Sequence, residues 1–153
     1  MTASADIEGM DELDRRLKAL DAAIAGGTRT GLQIGAELVR GEAVRLIQQG
    51  PKTGKVYQKG GRLLPRRTHQ ASAPGEPPAS DTGDLVGKIH ARRDESGDYE
   101  VGTKVTHGLY LELGTKTIAP RPWLFPALES KRSAVADQVT KQVAKRIEKI
   151  TKG

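Results

Sequence analysis

The sequence predicts an α+β fold: a small antiparallel sheet packed by two N-terminal helices and one long C-terminal helix, with a long basic loop rich in Pro and Gly. Three observations carry that prediction. Apolar residues recur at steps of three and four over residues 10–24, 32–46 and 128–150. A strand-like pair of segments, 84–92 and 99–102, flanks the turn-forming run Glu95-Ser-Gly-Asp98. Five of the eight prolines fall between residues 50 and 83.

In chain order, a short strand is expected around Ile7, ended by Gly9. Met10, Leu13, Leu17, Leu20 and Ile24 then make one face of a first helix. Gly26-Gly27 is expected to stop it, with Thr28 capping the next. Leu32, Ala36, Val39, Ala43 and Leu46 mark the second helix, which ends at Gly50-Pro51. Gly31, Gly35 and Gly41 each weaken that helix by about 1 kcal/mol relative to Ala, which fits close packing against another backbone or a marginal helix. Residues 50–83 read as an extended loop, with an exposed hairpin where Val56-Tyr57 and Leu63-Leu64 flank Gly60-Gly61. The strand pair 84–102 leads through Val105 and His107 to a Pro-rich segment. The last helix is expected over 123–150, with Leu128, Val135, Val139, Val143, Ile147 and Ile150 as its stripe.

The totals bound the function. At 153 residues the chain is expected to be a single domain, 1–153, with a real core. There is no Cys, hence no disulfide framework and no thiolate chemistry. No apolar run approaches the ~18 residues of a membrane span, and the first residues lack a signal-peptide pattern. A net charge of +6 allows contact with nucleic acid or with an acidic protein.

The chain's organising stretch is Tyr110-Leu-Glu-Leu-Gly-Thr115 with Ala119-Pro-Arg-Pro-Trp-Leu-Phe-Pro126. It holds the only Trp and the only Phe, which marks a packing centre or a partner anchor. Gly114 permits a turn, and Pro120 and Pro122 hold Arg121 extended. The expected result is a stiff, extended clip built from Tyr110, Glu112, Gly114, Thr115, Arg121, Pro122, Trp123 and Phe125. Glu112 and Arg121, of opposite charge on either side of the turn, are expected to pair. A second group is the basic loop: Lys52, Lys55, Lys59, Arg62, Arg66 and Arg67 lie over sixteen residues without an acid, with Tyr57 among them. That loop suits docking on an acidic protein or direct contact with DNA phosphates. His69, His90 and His107 show no metal-ligand spacing, and no nucleophile elbow or phosphate-cradling loop is present. No enzyme activity, metal or cofactor is expected.

The clip, Tyr110-Leu-Glu-Leu-Gly-Thr115 followed by Arg121-Pro-Trp-Leu, resembles the signature of the gp-ten-like neck proteins of long-tailed bacteriophages. Thr53-Gly54 before a basic loop, Ser72 to Ala79 and Asp81 to Leu85 match the same pattern in the same order. The likeness covers most of residues 5–130. Leu113 and Trp123 depart from it, standing where the family favours an aromatic and a Phe. The resemblance implies a non-catalytic virion protein of the head–tail junction, made in the host cytoplasm. It implies a homo-oligomeric ring, six-fold by analogy with the tail tube, around the DNA channel. Its partners would be other neck, connector and tail-tube proteins, with no membrane. A tail terminator ring and a basic nucleic-acid-binding protein are the alternatives.

Overall fold

The computed structural model describes residues 9–62 and 64–152. The strand expected around Ile7 lies outside them. The chain is a mixed helix-and-sheet protein, with four helices and two small antiparallel sheets among the described residues.

Helix α1 spans Met10–Gln49 without a break, about 60 Å at 1.5 Å per residue. This corrects the expectation of two N-terminal helices, since Gly26-Gly27 and Thr28 lie inside it. The reason is tertiary. Helix α4, Leu124–Thr151, runs antiparallel along α1 and its backbone comes against the glycines. A Cβ built on Gly27 would stand 2.6 Å from the Val143 Cα, and one on Gly31 2.4 Å from the Val139 Cα. At Gly35 the nearest atom would be Val135 Cγ1, at 2.7 Å. The packing that three small residues permit outweighs their low helix propensity. Gly41, by contrast, faces open space. The helix stops at Gly50, just before Pro51.

The strands form two hairpins, each a separate two-stranded sheet. Strands β1 (Val56–Gly61) and β2 (Leu64–Gln70) pair from Val56↔Gln70 to Gly61↔Leu64, with an irregularity at Gly60, whose φ is +97°. Strands β3 (Ile89–Arg93) and β4 (Tyr99–Thr103) pair from Ile89↔Thr103 to Arg93↔Tyr99, around a turn carrying Gly97 at φ +98°. The second hairpin packs on α1. The strand expected from Asp84 begins later, at Ile89. Asp84–Gly87 forms one helical turn, α2, which drives Leu85 into the core and lets Asp84 pair with Lys88 at 2.6 Å.

The core gathers at the C-terminal end of α1. Val39, Ala43 and Ile47 meet Leu85, Ile89, Trp123 and Ala127 there. Glu42, only 8% exposed, stands at its edge. Arg45 grips its carboxylate with two bonds of 2.9 and 2.6 Å, and Lys131 of α4 approaches to 3.4 Å. The Arg45 bonds are the main cause holding the Glu42 pKa down to about 2, against the opposing pull of burial.

Candidate assembly site

The clip is half helix. Helix α3 spans Thr106–Leu113, so Tyr110 to Leu113 are not extended as expected. Within the clip no proline precedes Gly114, and the constraint on the backbone begins only at that residue. Gly114 takes φ +76°, and a Cβ there would stand 2.9 Å from the Ile118 carbonyl oxygen. Thr115 closes the turn: its N–H donates to the Ile118 carbonyl at 2.8 Å. Its hydroxyl oxygen accepts from the N–H groups of Thr117 and Ile118, at 3.2 and 3.0 Å. The chain then returns alongside α3, where the Arg121 N–H reaches the Leu111 carbonyl at 2.6 Å.

Glu112 and Arg121 do not pair. Glu112 lies across the start of α4 and accepts the backbone N–H groups of Trp123, Leu124 and Phe125 at 2.7, 2.9 and 2.9 Å. Those donors have no partner within a helix, and the helix dipole favours a negative charge beside them. This use of Glu112 satisfies the carboxylate more fully than one guanidinium would. Arg121 turns the other way, its Nε donating to the Ser72 carbonyl at 3.2 Å and Nη1 to the Ala119 carbonyl at 3.3 Å.

Trp123 is 2% exposed, and its ring N–H donates to the Gly108 carbonyl at 3.1 Å. It is a core residue. Gly108 makes room beside it: a Cβ there would meet Thr103 Cγ2 at 2.6 Å and Leu85 Cδ1 at 2.9 Å. Pro122 is half-buried, and Pro126 occupies the first turn of α4. Phe125, in contrast, is 63% exposed. Leu109, Tyr110, Leu113 and Leu128 are exposed as well. The clip thus has a rigid, buried root and an apolar exterior.

The basic loop is more ordered than its composition suggested. Strands β1 and β2 take up much of it. Lys59, Arg67 and His69, from one face of the hairpin, converge on Asp81, with Arg67 at 3.4 Å and His69 Nδ1 at 3.7 Å. The bond from Lys59 is the main cause lowering the Asp81 pKa. Glu76 ties both ends of the loop together, accepting from the Thr53 hydroxyl and from the N–H groups of Thr53 and Ala73. Lys52, Lys55, Arg62 and Arg66 make no ion pair among the described residues.

The two sequence-derived groups meet at an open cleft of about 580 Å³. Tyr57 and His69 of the hairpin line one side, and Leu111, Ile118 and Arg121 of the clip line the other. Ser72, which lines it, and Asp81 and Glu76, which brace the hairpin and the loop, were not singled out as site residues from the sequence. The signal was present: Glu76 and Asp81 are the only acids between Glu42 and Asp84. Among the described residues no group of His, Asp and Glu is placed to hold a metal ion. The three histidines approach separate carboxylates, at Asp81, Glu100 and Asp84. No described helix is long and apolar enough to cross a membrane. Comparisons with family models, with curated proteins and with solved structures return no match to this chain.

Proposed function

We propose that the chain is a structural subunit of the head–tail junction of a long-tailed bacteriophage, acting without catalysis as a homo-oligomeric ring around the DNA channel. Six copies would match a six-fold tail tube. The observation that carries the reading is the exposed apolar row of Leu109, Tyr110, Leu113 and Phe125 on a clip fixed from beneath by Glu112 and Trp123. Aromatic and large apolar side chains held on a stiff base are what a subunit contact needs. The motif order described above supplies the specific assignment to a neck protein, with a tail terminator ring as its near neighbour. High-resolution images of purified virions test it. A ring of this chain between portal and tail tube is the expected result, a ring at the tail-tube cap selects the terminator, and absence from virions overturns both.

A second reading, nucleic-acid binding, draws on Lys52, Lys55, Arg62 and Arg66, which make no ion pair among the described residues. Asp81 neutralises part of the same surface, which weakens the electrostatic footprint. DNA binding by the free protein that falls steeply with salt would favour this reading.

A further inference from the structure

Helix α1 is longer than the helix that covers it. The contacts Gly27–Val143, Gly31–Val139 and Gly35–Val135 set an antiparallel register in which Thr151, the last residue of α4, lies beside Ala19. Residues 10–18 extend beyond α4. Along this end Met10, Leu13, Leu17, Leu20 and Ile24 recur at steps of three, four, three and four, a heptad seam of two repeats. Met10, Leu13 and Leu17 are just over half exposed and Ile24 is 41% exposed. The glycine face rotates toward α4 at steps of four, so the seam is carried off to another side of the helix.

The charges beside the seam select an occupant. Arg16 immediately precedes Leu17, and Asp21 immediately follows Leu20. In a parallel coiled coil these are the flanking positions that face each other across copies, so Arg16 of one chain meets Asp21 of the next. In the antiparallel arrangement like flanks meet, and Asp14 and Asp21 oppose their own kind. Asp21 makes no ion pair among the described residues, and Arg16 uses only its Nε, toward Glu12. The geometry points to a second copy of this chain as the occupant, docked in parallel along Met10, Leu13, Leu17, Leu20 and Ile24.

This contact brings the same face of each copy to a shared axis, unlike the head-to-tail contacts of a larger ring. It stands whether or not the chain builds a phage neck. Two heptads fall short of the roughly 1,600 Å² of a standard stable interface, so the pairing is reversible and concentration-dependent.

The absence of Cys makes a direct test available. Leu13→Cys in the full-length protein, oxidised over a concentration series, should yield covalent dimers, because a parallel seam sets Leu13 against its own counterpart. Arg16→Asp alone should raise the dimer dissociation constant about fivefold, and Arg16→Asp with Asp21→Arg should restore it. Circular dichroism of each variant checks folding, which substitutions at these exposed positions should leave intact. Failure of Leu13→Cys to cross-link while Leu13→Cys with Ile24→Cys does so would mean an antiparallel pair and overturn the proposal. A monomer at every concentration would also overturn it. Neither result bears on whether virions contain a ring of this chain.

Discussion

The Glu112 carboxylate holds the backbone N–H of Trp123 at 2.7 Å, and through it fixes where α4 begins. The same two oxygens take the next two N–H groups of the helix. One side chain of α3 therefore sets the position of Trp123 in the core and of Phe125 outside it.

Glu112→Ala should destabilise the fold by about 1–3 kcal/mol, because it strands two partly buried donors, of Trp123 and Leu124, and removes the partner of a third, exposed one. Glu112→Gln, which keeps one accepting oxygen, should cost less. Arg121→Ala combined with Glu112→Ala should be additive to within about 0.5 kcal/mol, since the two side chains do not touch. Urea unfolding of the four proteins in the cycle measures all of this, and a large coupling term would contradict the geometry.

Two glycines of the same helix should respond with opposite sign. Gly31→Ala places a methyl 2.4 Å from the Val139 Cα and should destabilise by about 1–3 kcal/mol. Gly41→Ala meets no atom within 4 Å and should stabilise by up to about 1 kcal/mol. Thermal melts separate them, because 1 kcal/mol moves Tm by about 2–4 °C in a chain of this size.

Acid should weaken the fold in part through Glu42. Its folded pKa of about 2 lies below the ordinary 4.5, so the folded state favours the ionised form. The stability it contributes is fully present above about pH 4.5 and is lost as pH falls toward about 2. Glu42→Gln removes this titration. The stability gap between wild type and Glu42→Gln should therefore narrow between pH 5 and about pH 2.5 in denaturant titrations. A gap independent of pH would assign Glu42 a packing role alone.

Asp81 should govern the hairpin. Asp81→Asn leaves Lys59 and Arg67 without their counter-charge, while the ion pairs themselves, being partly exposed, contribute little to global stability. Trypsin should cut after Lys59 and Arg67 faster in Asp81→Asn than in wild type, with Tm nearly unchanged. Equal cleavage rates would show that backbone pairing alone holds the hairpin.

Much of this architecture was legible from periodicity and turn chemistry. The C-terminal helix and the hairpin across Glu95 to Asp98 follow from local pattern, as does the strand pair around Gly60-Gly61. The break at Gly26-Gly27 was misread because helix propensity is a local quantity. What keeps the helix intact is the backbone of Val139 and Val143, more than a hundred residues away. The pairing of Glu112 with Arg121 failed for a related reason. Opposite charges near one turn suggest each other, yet a carboxylate facing a helix start finds three aligned donors there. Sequence alone gives no sign of which way a side chain turns. The division of the clip into a buried Trp123 and an exposed Phe125 required the orientation of α4.

The unbroken run of α1 also has a mechanical meaning. Its last turns, at Val39 to Ile47, are set in the core against Trp123, while its first turns extend past the end of α4 with Met10, Leu13 and Leu17 exposed. A rod of about 60 Å with no hinge transmits force from end to end. Whatever grips the helix near Met10 therefore holds a lever whose fulcrum is the root of the clip. A sideways load at the Met10 end would be felt as torque on the seat of Trp123, and the glycine seam with α4 would carry the shear.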